Sequence, residues 1–416
     1  MNIVYINHYA GSPNYGMEYR TFYLAREWVK KGNKVNICAS SFSHVRNKNP
    51  KRNNPFSLSW TEEIDGIYYN WYLTPRYIKN GLKRFINIIS FLGLVLLDTK
   101  RIIKDLKPDI IIASSTYPLD IWVAKYISKK SKCKLVFELH DIWPLSQIEI
   151  NKMKSFHPFI LLCSISEKVA YENSDLVISM LPCIDKYIEK RNFKVKKLDI
   201  IPNGFYTNKY LINKSSKLNL NLDNYLNQAK EKGKMIIVYC GSHGLANSLD
   251  NLLDAAKLLK DKNQICFCIV GNGLEKKRLE KRVIDENLTN VKMFNHIKIK
   301  NVQLLLSKCN CCYIGAPKSP LYKYGISPNK LLDYMYAQLP IISTIEAGND
   351  IVSEAKCGIS IPSENPLLLS KAITKFSEMN EEEREKLGIN GKLYIEKYHS
   401  YESLSRKFLQ NLYNLN

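Results

Sequence analysis

The chain has 416 residues, enough for two or three domains that each bury a core. Hydrophobic residues make up 45% and charged residues 24%, a globular balance that excludes extensive disorder. The 61 Lys+Arg against 39 Asp+Glu give a formal net charge of +22. Such a surplus attracts nucleic acid, anionic lipid or phosphorylated substrates, but with no long basic run a general abundance of Lys accounts for it equally well.

In the first half, short apolar runs predict strands at Ile3–Ile6, Val35–Ala39, Ile110–Ala113, Leu135–Glu138, Leu176–Ser179 and Asp199–Ile201. Met17 to Lys31 reads as a helix, with Tyr19, Phe22, Tyr23, Leu24 and Trp28 on one side. The strongest apolar run, Phe85 to Leu97, is too short to span a bilayer, which needs about 20 residues. Lys79, Lys83, Arg84, Lys100, Arg101 and Lys104 flank it. Two readings stay open: a buried core helix, or an interfacial helix whose basic flanks meet lipid phosphate. The start, Met1 to Asn7, has no signal-peptide pattern.

At Ile201-Pro202-Asn203-Gly204 a strand end meets a sharp turn, where the chain is expected to cross into a second domain. Lys214 to Lys234, polar and rich in Asn and Lys, reads as a surface excursion. Strands follow at Met235–Cys240, Ile265–Val270, Val291–Phe294, Cys311–Ile314, Ile341–Ser343 and Gly358–Ile361. Helices are expected near Leu249–Lys260, from Leu274, at Asn329–Ala337 and over Ser400 to Tyr413. The 11 cysteines, odd in number, argue against a disulfide framework. Lying in apolar runs, Cys266, Cys268, Cys309 and Cys311 read as small buried strand residues in a reducing compartment rather than as zinc ligands. The fold class is α/β: two doubly wound domains, 1–203 and 204–398, facing across a cleft, with the helix of 399–416 returning to the first.

The most informative segment is Tyr324 to Pro340, "YGISPNKLLDYMYAQLP". Ser327 suits an N-cap and Pro328 the first helical position, so the helix begins at Asn329-Lys330. Unpaired first-turn amides and the helix dipole favour a phosphate there, and Lys330 adds a full charge. Asp333 shares that face and can accept ribose hydroxyls. An ordinary capped helix with surface Lys and Asp explains the same spacing. Gly11 and Gly16 bracket a loop after the first strand, where backbone amides can approach a phosphate or an acceptor. Glu18 and Arg20 start the next helix, facing either the cleft or each other. His140 follows a strand end with Asp141 beside it, in a position suited to catalysis; Asp141 otherwise orients the loop, and Glu138 reads as an ordinary strand residue. No D-x-D triplet occurs, in keeping with a site that uses no metal.

The Tyr324–Pro340 segment resembles the C-terminal signature of glycosyltransferase family 4, "P-[SN]-K-x-x-[ED]-Y-M-A-x-G-x-P". "HYAGSPNYGMEYRTFYLAREWVKKGNKV", "ELHDIWP", "IIPNGF", "YCGSHG" and "IVGNGLEKKRL" resemble other family segments in the same order. Within the family, "NHYAGSP…GMEYR" and "SPL…GISPNKLLDYM" are similar to bacterial O-antigen and capsule N-acetyl-L-fucosamine transferases. The resemblance implies the GT-B fold and retaining transfer from a UDP-sugar to a lipid-linked saccharide. It implies no cofactor and no metal, no nucleic acid, and a cytoplasmic protein peripheral on the anionic inner face of the plasma membrane. Gly241, Ser242, Ser327, Asn329, Lys330 and Asp333 would hold the donor nucleotide, and His140 would meet the donor sugar. The chain departs from the family twice. Gly325 stands where the first acid of E-x7-E belongs, and no basic pair follows Gly241. Lys318, Lys323 and Lys330 are then the candidates to offset the leaving diphosphate. A sugar-nucleotide 2-epimerase and a non-catalytic donor-binding subunit are the alternative readings.

Overall fold

In a computed structural model, the described residues are all those of the chain except Met17, Glu18, Val45, Asn47, Asn53, Lys79, Asn80, 207–216 and Asn416. They divide into two units, one of Met1–Asn203 with Tyr401–Asn416, the other of Gly204–Ser400.

The N-terminal unit is built on an eight-stranded sheet. Its strands are β1 (Asn2–Ile6), β2 (Lys34–Ser40), β3 (Ser59–Ile64), β4 (Ile67–Tyr72), β5 (Ile110–Ala113), β6 (Lys134–Leu139), β7 (Leu176–Ser179) and β8 (Leu198–Ile200). The order is β3-β4-β2-β1-β5-β6-β7-β8, parallel except for β3. Runs such as Ile110–Ala113 are buried throughout, as strands covered on both faces must be. The hairpin β3-β4 has no counterpart among the predicted strands. Its turn is Asp65-Gly66, both residues at positive φ, the pairing a two-residue hairpin loop demands. Thr61, Glu62 and Glu63 keep the outer strand polar, and so protect an open sheet edge.

The helices of this unit include α1 (Arg20–Lys30), α2 (Leu82–Leu97), α3 (Ile121–Ser131) and α4 (Pro158–Asn173). The C-terminal helix, Tyr401–Tyr413, packs on α1. There Trp28 meets Phe408 edge to face at 5.1 Å, and its indole N–H donates to the Ser405 carbonyl at 3.2 Å. Both rings are fully buried, each stabilising by about 1.5–3 kcal/mol at most.

The C-terminal unit holds β9 (Met235–Ser242), β10 (Ile265–Asn272), β11 (Val291–Phe294), β12 (Cys311–Gly315), β13 (Ile341–Thr344) and β14 (Gly358–Ser360). All pair in parallel in the order β11-β10-β9-β12-β13-β14. Helices covering it include α5 (Leu220–Glu231), α6 (Leu249–Leu258), α7 (Lys276–Asp285), α8 (Asn329–Tyr336) and α9 (Pro366–Glu378). Two aliphatic clusters, one on each face of the sheet, form the core. Cys266, Cys268, Cys309 and Cys311 are buried thiols within it.

The segment expected as a surface excursion is helical over α5. Asn219 caps it, and Leu222, Leu226 and Ala229 are buried. Its polar majority hides an i, i+4, i+7 apolar stripe, which is all a helix on a sheet requires.

Candidate functional site

In each unit the strand order reverses beside its first strand, between β1 and β5 and between β9 and β12. In open parallel sheets the carboxyl ends of strands at such a reversal form a crevice.

In the C-terminal unit the divergence can be read from the register. β9 pairs with β10 through Ser242, but with β12 only at Ile237 and Val238. Past that point the backbone of Cys240 on the β12 side needs other partners. Tyr334 of α8 provides them: its hydroxyl accepts from the Cys240 amide at 2.9 Å and donates to the Cys240 carbonyl at 3.1 Å. Lys330, one turn earlier on the same face, is thereby aimed at the end of β9. Its ammonium donates to the Tyr239 hydroxyl at 3.0 Å and to Asn247 Oδ1, and lies 4.7 Å from the centre of the Tyr239 ring. Tyr239 and Asn247 both donate to the Ser242 carbonyl, at 2.6 and 2.9 Å. No carboxylate forms an ion pair with Lys330 among the described residues. Burial pushes its ammonium down to about 8.

The start of α8 differs from the expectation. Pro328, not Ser327, occupies the N-cap position and offers no side-chain cap. The chain stays extended one residue longer than the S-P pattern suggests, and the helix opens directly at exposed Asn329. Its positive end thus carries Lys330 and no acid in the first turn. Asp333, partly exposed, is one turn on.

Gly241 is required by close approach: a Cβ there would lie 3.0 Å from the Tyr239 hydroxyl and 3.3 Å from Lys330 Nζ. Ser242 beside it is exposed. A Cβ on Gly271 would stand 1.8 Å from the Gly241 carbonyl, so the ends of β9 and β10 are packed backbone to backbone. His243 fills the space beneath. It is fully buried, and burial with the charge of Lys276 pushes its imidazole down to about 4. Lys276 itself donates to Asn295 Oδ1 at 2.5 Å and to the Gly271 carbonyl at 3.3 Å. Cations therefore do reach the loop after Gly241, but from α7 and α8 rather than from the next residues. Lys318 and Lys323 are not gathered with them. Lys318 is exposed and reaches Glu346 at 3.7 Å, and Lys323 lies over the Tyr324 ring at 5.0 Å.

In the N-terminal unit the centre is Glu138, which the sequence reading treated as an ordinary strand residue. It is fully buried at the end of β6. It accepts from Arg20 at 3.0 Å, from Ser114 Oγ at 2.6 Å and from the Tyr5 hydroxyl. Burial alone would raise its carboxyl; Arg20, His140 and Ser114 outweigh that and hold it well below the carboxylate range. His140 Nε2 lies 2.8 Å from Ser114 Oγ and 3.3 Å from Glu138. Because Ser114 donates to Glu138, it accepts from His140, and this bonding places a proton on Nε2. His140 has Nδ1 and its main chain left to offer a substrate.

Both carboxylate oxygens of Asp141 accept within its own loop, from the Ile142 amide at 2.8 Å and the Trp143 indole at 3.1 Å. The structure thus favours the loop-orienting role over direct chemistry. In the glycine loop, the Gly16 amide donates to the Ser12 carbonyl at 2.8 Å, with Gly16 at φ 94°, closing a tight turn. The Gly11 carbonyl accepts from Tyr69 at 2.7 Å. Glu18 lies outside the described residues. Arg20 pairs with Glu138, an alternative absent from the expectations for that helix start.

Two doubly wound units with crevices at their strand reversals define the GT-B class of α/β fold. Solved structures of that class align with the whole chain. One is Anabaena Alr3699/HepE in complex with UDP and glucose, with a TM-score of 0.66 at 13% identity over 99% of each chain. Residues 15–209 match the family model for Glycosyltransferase Family 4, and residues 224–394 that for Glycosyl transferases group 1. The chain is a glycosyltransferase, a family 4 domain followed by a group 1 domain. Among curated relatives it is 22% identical over 159 residues to the probable glycosyltransferase WbjE of Pseudomonas aeruginosa, 38% of this chain and 39% of that one. It is 31% identical over 118 residues to the putative colanic acid biosynthesis glycosyl transferase WcaI of Escherichia coli K12, 28% of each chain. These matches span less than two thirds of either relative's length.

Proposed function

We propose that this glycosyltransferase moves a sugar, an N-acetylated amino sugar by its sequence resemblance, from a UDP donor to a lipid-linked saccharide during O-antigen or capsule synthesis. The observation that carries the reading is Lys330, a largely buried cation at the positive end of α8 with no carboxylate in an ion pair with it among the described residues. Such a group is stabilised by an arriving anion, and a nucleoside diphosphate supplies one. Gly241, Ser242, Ser327, Asn329 and Asp333 lie on or beside the same two segments and would hold the rest of the nucleotide; Lys318 and Lys323 would attract it from the surface. UDP as the nucleotide is supported by the UDP and glucose bound in HepE. A surface polysaccharide as the product is supported by the colanic acid assignment of WcaI.

Transfer proceeds with retention. The acceptor hydroxyl bonds to the anomeric carbon on the face that the diphosphate leaves, and its proton passes to the departing phosphate. Charge grows on that phosphate as the bond breaks, where Lys330 and the α8 amides stabilise it without a metal ion. His140, through Nδ1 or its main chain, meets the donor sugar, with Asp141 holding its loop. Gly11 and Gly16 shape the acceptor side. The protein works at the inner face of the membrane as a peripheral protein, and no helix among the described residues is long and apolar enough to cross a bilayer.

The test is incubation of the purified chain with UDP-sugars, with and without lipid-linked acceptor from a bacterial membrane extract, followed by mass spectrometry. A glycosylated lipid is expected only when both are present. Isomerised donor without acceptor would establish the epimerase instead, and no change to any donor would sink the catalytic reading.

A further inference from the structure

The segment that leads into α8 is held by a side chain from a different loop of the C-terminal unit. Gly325, at φ 95°, ends a short turn, and its amide donates to the Tyr322 carbonyl at 2.9 Å. The same carbonyl accepts from the Gly348 amide, also at 2.9 Å, so the loop after β13 is stitched to this turn. One residue further along each loop, Asn349 bonds Ile326 twice. Its Oδ1 accepts from the Ile326 amide at 2.8 Å, and its Nδ2 donates to the Ile326 carbonyl at 3.1 Å. A carboxamide carries an acceptor and a donor in one plane, the pair needed to match both backbone groups of a single residue.

Asn349 is itself fixed from behind. Beside it, Asp350 caps the short helix Ile351–Glu354. Asp350 accepts from the Ser353 amide at 3.1 Å, from the Ser353 hydroxyl at 2.6 Å, and from Ser360 Oγ of β14 at 2.7 Å. The clamp on Ile326 is thus anchored to the sheet through β13 and β14.

The place of the clamp decides what α8 presents. The Ile326 carbonyl lies four residues before Lys330, where a helix extended upstream would use it to bond the Lys330 amide. Asn349 engages that carbonyl instead, and Pro328 disfavours helical geometry at Ser327. The Leu331 amide donates to the Pro328 carbonyl at 3.2 Å, and the Asn329 and Lys330 amides lie ahead of it. A side-chain cap would also anchor the helix entry, but by bonding the first-turn amides. Pro328 offers no such cap. Anchorage at Ile326, two residues earlier, holds the chain and leaves those amides to an anion.

We propose that Asn349 is a positioning residue for the donor diphosphate, holding the entry to α8 so that its first amides stay open beside Lys330. The assignment rests on the donor reading of the proposed function and adds the residue that keeps the site formed.

UDP and uridine are the probes, each titrated against the full chain by calorimetry well below the melting transition. The wild-type chain should bind UDP more tightly than uridine, which has no phosphate. Asn349→Ala should weaken UDP about tenfold, the worth of one or two hydrogen bonds, and leave uridine unchanged. Asn349→Leu, which keeps the side-chain volume without its hydrogen bonds, should do the same and decides the matter if the alanine variant melts early. Unchanged UDP affinity in a folded variant would overturn the proposal. So would equal losses of UDP and uridine, because a merely structural role weakens both. If the wild-type chain binds UDP no better than uridine, the donor reading falls and this assignment with it. If it prefers UDP and both variants keep that preference, only the role of Asn349 falls.

Discussion

Lys330 has no compensating carboxylate in an ion pair among the described residues, and its burial makes the ammonium easy to lose. Lys330→Ala should weaken UDP binding by about ten- to a hundredfold, the worth of a charge-assisted hydrogen bond, while the melting temperature is kept. Wild-type affinity should be flat below neutrality and fall as pH rises through about 8, because the cation is the binding form. Unchanged calorimetric affinity in Lys330→Ala, or a flat profile up to pH about 10, would move the donor site elsewhere. Glu138 poses the opposite case, a buried charge fully matched by Arg20. Glu138→Ala strands the guanidinium and should cost about 3–5 kcal/mol in denaturant unfolding. The pH sign follows from the depressed carboxyl. Its contribution is complete above the ordinary carboxylate range, falls progressively as acid enters that range, and is gone below the lower folded-state value. Neither role is legible locally: Arg20 and Glu138 are 118 residues apart in sequence, and Lys330 and Asn247 are 83 apart.

At the scale of elements, α2 separates two readings that its sequence leaves open. An apolar run of this length fits a core helix and an interfacial one alike. Packing shows that one helix carries both a core face and an exposed apolar face, with Phe91 in the core and Ile86 and Ile89 outside. Phe91→Ala should therefore cost about 3–5 kcal/mol. The pair Ile86→Gln and Ile89→Gln should change stability by no more than about 0.5 kcal/mol each, yet reduce flotation with anionic vesicles at low salt. A large stability loss in the outer pair would show that the face is covered. The basic flanks are less alike than they look in sequence: Arg101 is held by Asp98 at 2.5 Å, whereas Lys83 and Lys100 are exposed. The β3-β4 hairpin is a lesson of another kind. Its Asp65-Gly66 turn is a readable signal, but β3 alternates weakly around exposed acids and reads as loop.

For the whole molecule, the proposed metal-free mechanism makes one demand on bulk activity. Transfer should survive excess chelator, and full loss restored by magnesium or manganese would overturn the role given to Lys330 and the α8 amides. The order of strands and helices was legible because strands buried on both faces must be apolar throughout and their covering helices amphipathic. The Tyr324–Pro340 segment likewise placed the start of α8 at Asn329 from its own composition. What the sequence left open was every role that depends on the sheet's reversal points. There β9 diverges from β12, Tyr334 closes the gap, and Lys330 is brought to Tyr239. At the other reversal, Glu138 becomes the partner of Arg20, Ser114 and His140. Local periodicity specifies which residues face inward; which of them meet is decided by strand order, because side chains far apart in sequence become neighbours only where parallel strands end together.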